Sequence, residues 1–283
     1  MDGRPSDPLA RLFFRASSGN RLSRTAGLLS EVPFPALVMA NLVRTYCAVY
    51  KVRLDEAVVP PGGFRTFNDF FTRRLKPWAR TVDPDPEVMT SPCDGRVMSS
   101  GTVTRGLALQ AKGRPYPLAR LLGDESLCAR YEGGRHLTLY LSPSDYHRVH
   151  FPCDGEVVQC HHLPGRLYSV APRAVELVDE LLCCNERLNT VIKTAFGTVS
   201  AVMVGACGVG RISLSYGDMM TNVGRCTGST RFDPAVGVLK GDDLGAFNLG
   251  STVVLLLEPG DWDVLCPPVG DPVKMGQPLL RRL

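Results

Sequence analysis

The sequence predicts an α+β fold, with a β-rich core of short antiparallel strands preceded by N-terminal amphipathic helices, and three observations carry that expectation. The 283 residues hold 28 Gly and 22 Pro, well above the roughly 12% of average proteins, which favours frequent turns over a helical bundle. From about Ser91 onward, apolar runs of strand length alternate with glycine and proline clusters. Ahead of them, apolar residues recur at helical spacing.

Taken in order, Leu9, Leu12, Phe13 and Ala16 share one helical face while Arg11 and Arg15 fall elsewhere, and Asp7-Pro8 suits the first turn. Leu22, Ala26 and Leu29 form a weaker helical pattern beside Arg21 and Arg24, ended by Pro33-Phe34-Pro35. Ala36 to Tyr50 is a more apolar helix. It is shorter than the roughly 20 residues a bilayer span needs, and it contains Asn41 and Arg44. After a linker over 58–63 (Val-Val-Pro-Pro-Gly-Gly), a short helix is expected at Asn68 to Leu75. Strands are expected at His136 to Leu141, Thr198 to Val204, Ile212 to Leu214 and Val253 to Leu257, with one helix at about Pro172 to Leu182 between them. This divides the chain into a helical region, 1–57, and a β-rich domain, 64–283.

Composition narrows the function. With 44% apolar and 21% charged residues the chain is globular rather than disordered. Its 10 cysteines show no CxxC pair, so neither a zinc site nor a disulfide framework is indicated, and a reduced compartment fits best. No cleavable signal pattern opens the chain, because charges interrupt its first apolar group. Net charge is only +4, but residues 1–80 carry thirteen Lys or Arg against six Asp or Glu. Beside amphipathic segments such a surplus is a solvated surface or a contact with anionic lipid or nucleic acid.

Three segments far apart in sequence hold the residues most suited to chemistry: Ser91-Pro-Cys-Asp-Gly-Arg-Val97, Ser142-Pro-Ser-Asp-Tyr-His-Arg-Val-His150 and Leu249-Gly-Ser-Thr252. Together they offer a hydroxyl, a base to take its proton and a carboxylate to orient that base. Taken singly, an Asp-Gly is commonly a turn and a Gly-Ser-Thr before an apolar run is commonly a strand entrance. The histidine pair is more specific, since an offset of three can put both rings on one side.

The order SPCDGRV, LSPSDYHRVHFPCDG, KGDDLGAFNLGST resembles the phosphatidylserine decarboxylase family of pyruvoyl-dependent enzymes. The likeness extends to Thr66-Phe-Asn-Asp-Phe-Phe-Thr72, Asn185-Glu-Arg187 and Val204-Gly-Ala206, so it runs from about residue 20 to 280. It implies that Ser251 attacks the carbonyl of Gly250 and cuts the chain into a β chain, 1–250, and an α chain, 251–283, whose first residue becomes a pyruvoyl group. That covalent group is the implied cofactor, and no metal is implied. His150 matches the family's general base for cutting and Asp94 the carboxylate that orients it. His147 matches the residue used in decarboxylation, with Asp145 supporting the histidines. A glycine at 250 suits the close approach of the attacking oxygen. The implied reaction converts phosphatidylserine to phosphatidylethanolamine and carbon dioxide through a Schiff base on the ketone. The implied partners are the lipid substrate, an anionic membrane surface on the cytoplasmic side of the cell membrane, and a second copy of the chain, with no nucleic acid.

Two departures from the family pattern, Cys207 and Arg211, bear on the pocket lining. A second Gly-Ser-Thr at 228–230 is set aside as a cleavage site because Arg231, Phe232 and Asp233 follow it rather than an apolar strand. Two other readings remain. A serine hydrolase would use the same Asp, His and Ser, but no Gly-x-Ser-x-Gly surrounds Ser251 and no histidine follows it. A lipoyl- or biotinyl-type carrier would use Asp154-Gly-Glu-Val157 and the stretch 270–279, but it lacks a lysine flanked by methionines, and Lys274 reads as a solvated turn residue.

Overall fold

In the computed structural model, residues 25, 27–109, 114–207, 211–221, 228–248 and 251–283 are described. The first expected helix lies outside them, and most of the second does too. The chain begins with helix α1 (Ala36–Tyr50), a 3-10 turn at Leu54–Glu56 and a short α2 (Phe67–Phe71). Strands β1 (Val88–Thr90), β2 (Gly95–Thr102), β3 (Leu107–Leu109) and β4 (Pro115–Pro117) lead to helices α3 (Leu118–Leu122) and α4 (Glu125–Arg130). Then come β5 (Arg135–Leu141), β6 (Arg148–His150), β7 (Gly155–Leu163), α5 (Pro172–Leu177) and α6 (Leu181–Cys184). The remainder is strand: β8 (Arg187–Thr194), β9 (Gly197–Gly205), β10 (Ile212–Leu214), β11 (Gly228–Val238), β12 (Asp243–Phe247), β13 (Ser251–Leu257), β14 (Trp262–Val264), β15 (Pro272–Val273) and β16 (Pro278–Arg282).

The fold is α+β and rich in strands, and every named strand pair is antiparallel. The main sheet has eight strands in the order β11-β7-β8-β9-β13-β5-β2-β15. Three-stranded sheets β10-β12-β6 and β1-β16-β14 accompany it. Strand β13 is buried along its whole length, and β9 at every position but its first. Burial on both faces explains why 253–257 reads as a continuous Val-Val-Leu-Leu-Leu run rather than an alternation.

Helix α1 has the bounds its sequence predicts. Met39 and Val43 pack with Val52, Phe64 and Phe70 in a small core of their own, while Leu37, Val38 and Val49 are exposed. Helix α2 starts on a capping box: Thr66 Oγ1 accepts from Asp69 N at 3.0 Å, and Thr66 N donates to Asp69 Oδ2 at 3.1 Å. It ends sooner than its sequence predicts, because the chain turns after Phe71 and Leu75 bridges to Ala57. The single helix expected over 172–182 is two. Val178 is extended and Glu180 left-handed at φ 50°, and this break turns Leu181 and Leu182 into the main core. Among the described residues, no helix is long and apolar enough to cross a membrane.

Candidate active site

Backbone pairing draws the three chemistry-bearing segments to one end of the main sheet. Ser251 opens β13, opposite Leu141 at the end of β5 and Gly205 at the end of β9. Directly after Leu141 the chain enters the Ser142–His147 loop and then β6. Strand β12 runs antiparallel to β6, with Asp243 opposite His150 and Ala246 opposite Arg148, and Phe247 N donates to the His147 carbonyl at 3.0 Å. The segment leading to Ser251 is therefore laid along the histidine strand. Leu249 and Gly250, the residues between, fall outside the described set. On the other side of β6, His150 N donates to the Pro92 carbonyl at 2.7 Å and Thr90 N to the Pro152 carbonyl at 2.9 Å, which fixes the Asp94 loop beside it. Gly95 is required there, since a Cβ would stand 2.5 Å from the Tyr140 carbonyl oxygen.

The two histidines are neutral and differently engaged. His147 Nδ1 lies 2.9 Å from the Asp145 carbonyl. A carbonyl only accepts, so this nitrogen carries the proton and the lone pair resides on Nε2. That Nε2 is buried and has no hydrogen-bond partner among the described residues. Burial is the main cause that pulls the His147 pKa down to about 3, and the Phe71 ring covers it at a centroid distance of 4.1 Å. His150 is held the same way by the Gly241 carbonyl, 2.8 Å from Nδ1. Its Nε2 lone pair, however, takes the Tyr146 hydroxyl at 3.0 Å. Burial lowers its pKa as well, against the Gly241 hydrogen bond and the Asp243 charge, which raise it.

Asp94 is 1% exposed and saturated with donors. Arg80 grips both oxygens, with Nε 2.8 Å from Oδ1 and Nη2 against Oδ2. Met275 N donates to Oδ1 at 3.0 Å, and Lys274 Nζ lies 3.2 Å from Oδ2. Burial alone would raise the Asp94 pKa, but Arg80 and Lys274 hold it below the usual carboxylate range. Arg80 also pairs with Glu56 at 2.9 Å. Lys274 is the exposed turn residue its sequence context predicts, and it is an ion partner of Asp94 as well. Asp94 makes no hydrogen bond with His150 among the described residues, whose ring nitrogens face Gly241 and Tyr146 instead. Asp145 bonds to the backbone and hydroxyl of Ser142 at 2.8 and 2.6 Å, which shapes the loop, and reaches His147 through its own carbonyl.

Ser251 is fully buried, and its Oγ has no hydrogen-bond partner among the described residues. An orphaned buried hydroxyl costs about 1–3 kcal/mol and is rare enough to call for a functional reason. Ser229 of the second Gly-Ser-Thr differs: it lies exposed on edge strand β11, bonded to Gln159 at 2.6 Å. Of the two departures from the family pattern, Arg211 pairs with Glu31 and its carbonyl accepts from Asn248 N at 3.0 Å, close to the chain entering Ser251. Cys207 N bonds the Tyr168 carbonyl at 3.2 Å.

Sequence reasoning missed Tyr146, Phe71, Arg80 and the role of Lys274. Tyr146 stands inside the histidine motif and Arg80 near the Asn68-Asp69-Phe70-Phe71 motif, so proximity to motifs was the available signal. Among the described residues, no group of His, Cys, Asp and Glu is arranged to hold a metal ion.

A family model described as phosphatidylserine decarboxylase matches residues 67–281. The phosphatidylserine decarboxylase proenzyme of Anaeromyxobacter sp. strain K is 42% identical over 278 residues, spanning 95% of this chain and 98% of its own. The proenzyme of that name from Brevibacillus brevis is 40% identical over 253 residues, 86% of each chain. One from Bordetella avium is 40% identical over 265 residues, 91% of this chain and 89% of its own. An antiparallel β-rich fold that gathers a buried serine, a buried and a half-buried histidine and a buried carboxylate at one sheet end, matched over this length, makes the chain an enzyme of the decarboxylase class. Within that class it belongs to the phosphatidylserine decarboxylase family.

Proposed function

We propose that the chain decarboxylates phosphatidylserine to phosphatidylethanolamine after cutting itself between Gly250 and Ser251. The observation that carries this reading is the Ser251 hydroxyl, fully buried and without a partner among the described residues, at the sheet end where the histidine loop begins. In the proposed cut, Ser251 Oγ adds to the Gly250 carbonyl carbon and the C–N bond breaks, leaving an ester and a free amine. Loss of the Ser251 Cα proton then expels Gly250 as a carboxylate and leaves an enamine, which takes up a proton at Cβ to become an imine. Water replaces the nitrogen of the resulting imine, releases ammonia and leaves a pyruvoyl group at residue 251. His150 is the proposed base, once the Tyr146 hydroxyl yields its Nε2, and Asp94 holds the neighbouring loop through Arg80 and Lys274.

The residues present fit such a group: Ser251 is fully buried, and His147 directs an unused lone pair into buried space. A pyruvoyl ketone, once formed, supplies the electron sink that ordinary side chains lack when carbon dioxide leaves. His147, neutral at rest, takes a proton at Nε2 and returns it at the carbon that has lost carbon dioxide. The cut chains stay together, because β13 is hydrogen-bonded along its whole length on both sides.

The region 1–57 is the proposed contact with anionic lipid on the cytoplasmic side of the cell membrane. Its support is the exposed apolar set Leu28, Leu29, Leu37, Val38 and Val49 and the basic surplus of this part of the chain. Apolar burial and cation attraction add at such a surface, at about 1 kcal/mol per Lys or Arg. Co-sedimentation with anionic vesicles is expected to weaken when Leu37 and Val38 are both changed to Ser; unchanged binding removes this contact. A homodimer rests on the family resemblance alone, and native mass checks it.

Intact-mass analysis tests the central claim. Purified protein should contain fragments 1–250 and 251–283, the second with a keto acid at its start. Ser251→Ala should remain whole. A cut Ser251→Ala variant, or active material consisting of one uncut chain, overturns the proposal.

A further inference from the structure

A cavity of about 130 Å³ lies beside the histidine loop, with Ser144, Asp145 and Tyr146 in its lining together with Lys51, Arg73 and Arg80. Its charges are unevenly matched. Arg53, Arg80 and Lys274 are engaged by Asp55, Glu56 and Asp94. Arg73 is different. It is 5% exposed, and its Nε has no hydrogen-bond partner among the described residues. Its Nη1 reaches the Phe70 carbonyl at a long 3.4 Å, and no carboxylate stands within ion-pair distance of it among the described residues. The Phe70 ring, 5.2 Å from its Cζ, fixes the guanidinium plane without using its donors. Lys51, exposed at the rim, makes no ion pair among the described residues either.

We infer that Arg73, with Lys51 at the mouth, is a binding site for a phosphodiester monoanion, and that its occupant is the diester of the lipid head group. The inference rests on the proposed substrate, and it adds the residue that holds it. A buried guanidinium without an ion pair is costly: burial opposes its charge, and the Asp94 carboxylate favours it only from beyond ion-pair distance; an anion that brings its own oxygens satisfies both the charge and the idle Nε donor. The location is also right: Phe71, two residues earlier, covers the His147 ring, and Arg73 is near enough for its charge to act on that ring. At the rim, Val49 and Tyr50 are exposed beside Lys51, so an apolar surface adjoins the polar mouth as a lipid requires.

The diester is a better occupant than the substrate carboxylate. A carboxylate clamped by arginine is stabilised before carbon dioxide leaves more than during its departure, which raises the barrier, whereas the diester charge does not change during the reaction. Arg73 therefore contributes equal binding before and during the chemical step, and its loss belongs in KM rather than kcat.

The test uses processed full-length protein and phosphatidylserine in mixed micelles, with carbon dioxide release as readout. Arg73→Gln should raise KM on the order of 10-fold to 100-fold, as expected for a lost charge-assisted hydrogen bond, with kcat within about twofold. Arg73→Lys should lie between. If Arg73→Gln fails to fold, the exposed Lys51→Gln should still raise KM several-fold, and wild-type protein still answers the second arm. Glycerophosphoglycerol, a soluble diester with neither amine nor carboxylate, should compete with substrate on wild type and lose that effect in the Arg73 variants. An unchanged KM, a fall confined to kcat, or no competition by the diester overturns the inference. Competition by inorganic phosphate as strong as by the diester overturns the head-group assignment. Wild-type protein that is cut but releases no carbon dioxide refutes the proposed function instead, so the two failures are distinguishable.

Discussion

The two histidines share a backbone-anchored Nδ1 and differ at Nε2, and this difference assigns them testable work. His147 has a free lone pair; His150 must first shed the Tyr146 hydroxyl. With the roles proposed above, His150→Ala should block cutting, while His147→Ala should cut normally and lose carbon dioxide release by roughly 100-fold, the usual order for a positioned acid or base. The reverse pattern, read by fragment yield, would mean that lone-pair availability rather than motif position selects the base for cutting. Asp94→Asn belongs to the same series. It breaks a buried ion pair with Arg80, which costs about 3–5 kcal/mol when one partner is removed, so it should lower urea stability by that order as well as slow cutting. Full stability with no cutting would show that Asp94 acts on the chemistry alone. The residue types were legible in the sequence because Asp, His and Ser in separate motifs define a small chemical vocabulary. Their partners were not, since Tyr146, Arg80 and Lys274 acquire their meaning from contacts between segments up to 180 positions apart.

At the scale of elements, the site is a product of strand register. The ladder between β12 and β6 delivers the chain to Ser251 and depends on Gly245, whose added Cβ would stand 2.3 Å from the Ser213 carbonyl oxygen on β10. A backbone atom cannot give way without shifting the strand. Gly245→Ala should therefore slow cutting at least several-fold while the main eight-strand sheet persists, as read by fragment yield against far-ultraviolet circular dichroism. Normal cutting would show that the register of this small sheet does not position the segment. Strands such as Ile212–Leu214 and helix α1 were legible because local pattern and tertiary role agree in them. The split of the helix expected over 172–182 was not, because the demand to bury Leu181 and Leu182 arises only once the main sheet exists. The order of eight strands is likewise invisible to periodicity, which reports that a strand is buried but not beside which neighbour. Helix α1 connects to the site through Tyr46, whose hydroxyl donates to the Pro143 carbonyl at 3.0 Å, and whose ring meets Phe71 edge-on. A surface element is thereby tied to the histidine loop.

For the molecule as a whole, keeping the reactive groups dry has a consequence for acid stability. Burial pulls the pKa of His136 down to about 4 and that of His147 to about 3, against about 6.5 in an unfolded chain. A base whose folded pKa is depressed binds its proton more readily when unfolded, so stability is fully present above pH 6.5 and falls as pH drops towards the folded values. Each such histidine costs about 1.4 kcal/mol per pH unit within that window. Unfolding in urea at pH 5.5 should therefore show about 2–3 kcal/mol less stability than at pH 7.5, from these two groups together. Paired carboxylates such as Asp94, held below their usual range, do not weaken the fold until pH falls below about 4, so they leave this window to the histidines. His136 lies on β5, on the strand whose far end meets Ser251 but away from the proposed chemistry. His136→Gln should accordingly lessen the loss between the two pH values by about 1.4 kcal/mol and leave cutting intact. Equal stability at both pH values would mean that the interior admits protons, and with them the water that a buried, partnerless Ser251 requires to be absent.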